Sequence, residues 1–409
     1  MQSGNPLYPD FPLEEFDRRY ARARAMIRTA GLHALLVTEE HNYVYFTGHR
    51  SEQIRLDKVR PHVLLFPAEG DPVVFVMPFE ARDVMLTSWL RDIRQCPLSG
   101  HISVIVEAIH ERGLAGNRIG CELGPGQYLQ LSYTDFTELT LRLPDASFVD
   151  AAKILLSLRA VKSPAEIDRC RRAAELAARA IDSAFNDVRP GVTHAEVAKL
   201  VRQRLLDVGA EGQTFLTVVS GLNFVNGLLS GLSTAPTQRT LESGDTLTVD
   251  TGALVAGYAS DVCRVAVVGK ASSRQRDFYR SMIDLHHACF EILKPGRTCD
   301  EVARLCAREV ARFEHAFPTT SERAQTNAPG HSPETVGRIG HGVGRETTEY
   351  PSIRPGEEVL LEAGMIFTLN PSFLTEFGYY NSEENLLVTG HGHQLLSNPA
   401  SPTDLRELT

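Results

Sequence analysis

Residues 189–201, RPGVTHAEVAKLV, return in altered form at 294–306 as KPGRTCDEVARLC. Each copy opens on a basic-Pro-Gly turn and continues to a threonine (Thr193, Thr298) followed three residues later by a glutamate (Glu196, Glu301), the pattern of a capping box. The apolar residues behind each box recur at helical spacing. A Thr-x-x-Glu opening alone is ordinary helix-start grammar, but the matching Pro-Gly and Val-Ala positions read as a duplicated half-domain. One repetition this far apart is too few and too long for a solenoid, so two similar halves are expected to close around a pseudo-twofold axis and leave a cleft.

The 409 residues, 43% hydrophobic and 23% charged, suffice for two or three cored domains. The net charge of -9 comes without a long run of one sign, so nucleic acid and anionic membranes are not expected as partners. A small-molecule or peptide-like ligand is expected instead. MQSGNPLYPDFPLEEF lacks the charged and apolar regions of a leader, and no run approaches a membrane span; the expected location is cytoplasmic. Seven cysteines without a CxxC argue for reduced thiols rather than a disulfide framework or a zinc knuckle.

Ahead of the repeats, LEEFDRRYARARAMIRTAG and SVIVEAIHERG have helical spacing, while HALLVTEE, NRIGCELG and the two halves of VRPHVLLFPAEGDPVVFVMP read as strands. This is an α/β domain ending near residue 150. In SPAEIDRCRRAAELAARAIDSAF, Ser163 caps a helix, Pro164 takes its first position and Glu166 completes a box, which puts a linker within about 150–162.

The polar residues that could carry chemistry lie between and after the repeats. DTLTVDTGALVAGYASDVCRVAVVG holds two apolar β segments, each with one aspartate, Asp250 and Asp261. Carboxylates in such strands are costly unless paired with a cation. Further on stand the glycine-flanked His341 of RIGHGVG and Glu383-Glu384 of NSEENLLVT, and GMIFTLNPSF (364–373) reads as a buried strand carrying Asn370. Singly, these are turn formers, loop residues or solvated edges. Gathered on strands facing one cleft, two Asp, one His and one Glu make a site for one or two divalent metals.

In this order the residues resemble the pita-bread family of methionine aminopeptidases, Xaa-Pro peptidases and creatinase, and in particular its two-domain branch with prolidases and creatinase. The resemblance covers the whole chain. It implies an α/β N-terminal domain over residues 1–155 and an α+β pita-bread catalytic domain with internal pseudo-twofold duplication over 162–409. By the same resemblance Asp250, Asp261, His341 and Glu383 are metal ligands. Asn370 of TLNP stands where the family's metallopeptidases place a glutamate that ligates metal and assists the attacking water. An amide offers a carbonyl oxygen but no charge, and it accepts no proton in hydrolysis. Two substrate-binding histidines of the family correspond to Ser233 and to Thr348 of TTEYP. Creatinase's metal-free site is the rival, yet its histidine corresponds to Ser233 and its glutamates to Cys263 and Asn370, while Asp250 and Asp261 are kept.

The expectation is therefore a depleted metal site. Asp250, Asp261 and Glu383 hold one divalent ion (manganese, zinc, iron or cobalt), and His341 and Asn370 form a weakened second position. Arg60-Pro61 matches a creatinase pair that reaches a substrate carboxylate in the neighbouring subunit, which implies a homodimer, and Arg345 is a second carboxylate binder or a partner for Glu346. The expected activity is hydrolysis of a C–N bond, amide or amidine-like, in a small carboxylate-bearing molecule, with Glu349 or Glu383 as proton acceptor beside His341. The alternatives are a metal-dependent Xaa-Pro dipeptidase, a lyase on the same scaffold, and a non-catalytic pseudoenzyme.

Overall fold

The computed structural model describes residues 5–56, 60–221, 236–317, 338–375 and 377–409. It divides into two compact units, Met1–Arg159 and Ala160–Thr409. In the first, a sheet runs in the order Asp92–Gln95, Val73–Val76, Val63–Pro67, Ala34–Val37, Arg118–Cys121, Ser147–Asp150. The strands anticipated from sequence are there, and the continuous burial of Ala34–Val37 and Val63–Pro67 reflects apolar layers on both faces of the sheet. The segment read as a linker instead contains a helix, Ala152–Ala160, whose Leu155 and Leu158 are buried in this unit's core. Among the described residues no helix is long and apolar enough to cross a membrane.

The second unit carries the duplication. Thr193 and Thr298 both cap helices, His194–Asp207 and Cys299–Ala316, through complete capping boxes. Preceding helices, Pro164–Phe185 and Ser273–Phe290, are boxed in the same way by Ser163 and Ser272. The backbone bonds around the two repeats then match in pairs: Gly191 N to Leu241 O and Gly296 N to Leu361 O, both 2.9 Å; His194 N to Arg239 O, 3.0 Å, and Cys299 N to Val359 O, 2.9 Å. Continuing outward, Gly244 N donates to Val268 O and Gly364 N to Val388 O, with every number shifted by 120 (364 − 244 and 388 − 268).

Each half carries a sheet, antiparallel except where Arg406–Leu408 runs parallel to Val262–Val268. The first has the order Arg406–Leu408, Val262–Val268, Thr246–Val255, Gly212–Gly221; the second, Glu349–Ile353, Gly340–Gly342, Ile366–Leu369, Asn385–Val388, His393–Leu395. The shift of 120 holds across their central pairs: Thr248 faces Val265 as Thr368 faces Asn385. Asp250 therefore corresponds to Asn370 and Cys263 to Glu383. The halves join there, where Cys263 and Glu383 exchange both backbone bonds, N to O at 3.2 and 3.3 Å.

The strand anticipated through GMIFTLNPSF stops at Leu369, one residue short of Asn370. Pro371 explains the break, since it has no N–H for a ladder and restricts the residue before it. Between the two aspartates the chain turns through Ala256 and Gly257, both at positive φ (48° and 75°), with Val255 paired to Tyr258. That two-residue turn matches the right-handed twist of the flanking strands and returns Asp261 toward Asp250.

Candidate metal centre

His341 sits on the short strand Gly340–Gly342, opposite Thr368. Its Nδ1 lies 3.0 Å from the Gly342 carbonyl, which only accepts, so Nδ1 carries the proton and Nε2 presents a lone pair. That lone pair faces Asp261 Oδ2 at 3.4 Å and Glu383 Oε1 at 3.9 Å. Burial, reinforced by the Arg338 charge, holds the ring down at about 4, so it stays neutral near pH 7. One ligand atom each from Asp261, His341 and Glu383 lies within 4.8 Å of the others, and all three residues are buried.

Asp250 adjoins this triad, near enough for the Glu383 charge to act on it and for its own charge to act on Asp261. Burial and the Glu383 charge push both aspartates well above the usual carboxylate range, and burial raises Glu383 as well. Asp250 Oδ1 and Asp261 Oδ1 are buried without a partner. Acceptors thus converge with too few donors among them, an arrangement that a divalent cation satisfies. The donor set fits a metal of mixed oxygen and nitrogen preference.

Neighbouring side chains hold the ligands in place. Asn385 clamps the backbone of Asp261, its Oδ1 accepting from Asp261 N at 3.1 Å and its Nδ2 donating to Asp261 O at 2.9 Å. Thr368 Oγ1 donates to Glu383 Oε1 at 2.8 Å, and the Asn381 side chain also favours the charged form of that carboxyl. Buried Arg264 donates to the Glu383 carbonyl at 3.2 Å and to Glu384 Oε2 at 3.2 Å, so the second glutamate of the pair serves as an anchor for the strand. Sequence reading passed over Thr368, Asn381 and Asn385. The signals were the threonine of TLNP and the two asparagines bracketing the glutamates of NSEEN, which look like ordinary β and turn residues until the strands are paired.

The other residues singled out from sequence fall in different places. Asn370 is half-buried, its N–H bonded to Ile339 O at 3.1 Å, two residues beyond Thr368. Glu349 stands outside the triad: Lys162 Nζ meets its Oε2 at 3.1 Å, and the N–H groups of Arg345 and Glu346 donate to its Oε1. Thr348 is exposed on the loop between them. Arg345 is 5% exposed and lies 4.9 Å over the Tyr258 ring, with Nε and Nη1 buried and unpartnered. Ser233 lies outside the described residues. Arg60 belongs to the first unit, 5.7 Å over the Phe79 ring.

The family model of metallopeptidase family M24 matches residues 168–390, and that of the Creatinase/Prolidase N-terminal domain matches residues 19–161. An uncharacterized peptidase of Staphylococcus aureus is 27% identical over 368 residues, 89% of this chain and 94% of that protein. Among solved structures, an Xaa-Pro dipeptidase from Bacillus anthracis superposes with a TM-score of 0.79 at 23% identity, covering 96% of this chain and 100% of that one. A dipeptidase from Mycobacterium ulcerans gives 0.77 at 24% identity, covering 97% and 99%.

Proposed function

Since the chain belongs to metallopeptidase family M24 and is a hydrolase of that family, we propose that it cleaves the C–N bond of a small, dipeptide-like substrate bearing a free carboxylate, with a divalent metal held by Asp261, His341 and Glu383 and supported by Asp250. The observation that carries this reading is the lone pair of His341 Nε2 facing two buried carboxylates. Such a metal supplies Lewis acidity that polarises the scissile carbonyl and activates water.

Glu383 is the proton acceptor in this reading. It is 1% exposed, its pKa is raised by burial, and Thr368 fixes its orientation. Glu349 is spent on Lys162 and two backbone amides, and its task is to shape the loop that carries Arg345. Arg345 is our candidate for the substrate carboxylate, because a buried guanidinium with two unpartnered nitrogens is matched by a planar anion. Arg60 keeps its proposed role toward a second copy of the chain.

The test is a panel of dipeptides, carboxylated amides and amidines assayed by mass spectrometry on metal-stripped protein with manganese or cobalt added back. Wild-type protein hydrolyses a dipeptide with uptake of one water, and Asp261→Asn loses on the order of 10³-fold in kcat/KM. Turnover that is undiminished without metal, or an unsaturated product formed without water, overturns the reading.

A further inference from the structure

The stretch KSPAE at 162–166 opens the helix Pro164–Phe185 and carries two buried charged side chains, Lys162 at 5% and Glu166 at 2% exposure. Both lead to Arg345. Lys162 Nζ donates to Glu349 Oε2 at 3.1 Å, and the other oxygen of Glu349 accepts from the Arg345 N–H at 2.9 Å, so the lysine acts on the arginine's backbone through one carboxylate. Glu166 acts on its side chain. Its Oε1 accepts from the Tyr258 hydroxyl at 2.8 Å, and the Arg345 guanidinium lies 4.9 Å over that ring.

Each link is anchored in turn. Glu166 Oε2 accepts from Ser163 N at 2.8 Å in the capping box, so one carboxylate both caps the helix and holds Tyr258. Lys162 N donates to Gly364 O at 3.0 Å, and its Nζ reaches Ala160 O at 3.2 Å. The loop runs directly against the ion pair: a Cβ on Gly344 would collide with Glu349 Oε2 and stand 2.7 Å from Lys162 Cε. Gly344 O also accepts from Ala259 N at 2.7 Å, two residues before Asp261, which ties the loop to the hairpin of the metal centre. Within this frame Arg345 keeps Nε and Nη1 buried with no partner among the described residues. A guanidinium in that condition turns toward the nearest acceptor unless its surroundings hold it.

We propose that Lys162, through Glu349, and Glu166, through Tyr258, are positioning residues for Arg345, and that this helix start thereby sets a preference for substrates with a free carboxylate over their neutral amides. This rests on the assignment of Arg345 to the substrate carboxylate above. A planar guanidinium pairs with a carboxylate through two parallel hydrogen bonds, a geometry that tolerates little displacement. An amide gains no such charge-assisted pair, so loosening the frame weakens acids selectively.

The experiment takes the dipeptide of the panel that is hydrolysed fastest and its own C-terminal amide, and reads the ratio of their kcat/KM values on full-length protein loaded with manganese. Arg345→Ala is the reference and should lower the ratio on the order of 30-fold. Lys162→Met combined with Glu349→Gln removes the ion pair without stranding a buried charge, and the ratio should fall about tenfold through KM of the acid. Tyr258→Phe keeps the ring, loses the bond to Glu166, and should lower the ratio about threefold. A wild-type ratio in either of these two variants, including one reached by equal losses on acid and amide, reduces the frame to structural support and overturns the inference while leaving Arg345 in its role. A wild-type ratio in Arg345→Ala, or a panel in which no dipeptide is hydrolysed, removes the assignment of Arg345 and this inference together.

Discussion

The two halves of the catalytic unit share a scaffold and divide the chemistry unequally. At the facing pair on the central strands, the first half has Asp250 opposite Cys263, and the second half's equivalents are Asn370 and Glu383. Each pair keeps one acid and one neutral group, on opposite strands. On the outer strand, Val219 of the first half, facing Thr248, is replaced by His341, facing Thr368. The threonines diverge too: Thr248 Oγ1 donates to the Tyr379 carbonyl at 3.2 Å, whereas Thr368 Oγ1 donates to Glu383. Duplicated backbone thus fixes where donors stand, and small substitutions decide which positions bind. The tight triad draws Asp261 from one half and His341 and Glu383 from the other, so neither half supplies the donor set alone.

The comparison breaks most sharply at Asn370. Asn370→Glu adds a charged donor at the position equivalent to Asp250, and manganese affinity measured calorimetrically should rise about tenfold or more. Turnover of the native substrate should not rise, because the pocket still lacks histidines at Thr348 and Ser233. A large gain in turnover would mean that the amide is only a damaged peptidase position.

A smaller effect separates the two helix starts. His194 of the first half is fully buried and has Cys299 as its equivalent, and burial aided by the Arg239 charge lowers its pKa to about 4 from 6.5. Its neutral form is the folded form, so the stability it contributes is present above pH 6.5 and is lost as pH falls toward 4. The loss between pH 6.5 and 5 should amount to about 1–2 kcal/mol. Urea melts at pH 7.5 and 5 check it: His194→Cys, which imports the second half's residue, should flatten that dependence, and an unchanged slope would place the acid sensitivity elsewhere.

The smallest difference should be nearly none. Thr193→Ala and Thr298→Ala remove equivalent caps, and each should cost about 1 kcal/mol in the same melts. Values differing by more than that would show that the two repeats no longer bear equal load.

Much of this was open to reading in the chain itself. A capping box needs only residues three apart, so Thr193–Glu196, Thr298–Glu301 and Ser163–Glu166 were visible before any tertiary contact existed. The duplication and the two-domain fold followed from such local patterns and from motif order, and Asp250, Asp261, His341 and Glu383 were named from the same order. Tertiary structure decided what no spacing encodes. That Asp261 meets residues 80 and 122 positions away, that Glu349 is consumed by Lys162, and that Asn385 clamps the backbone of Asp261 all depend on strand register across a pseudo-twofold axis. Register is set by pairing between distant strands, and a slip of one residue sends every side chain to the other face, so residue types known in advance become a centre only once the sheets close.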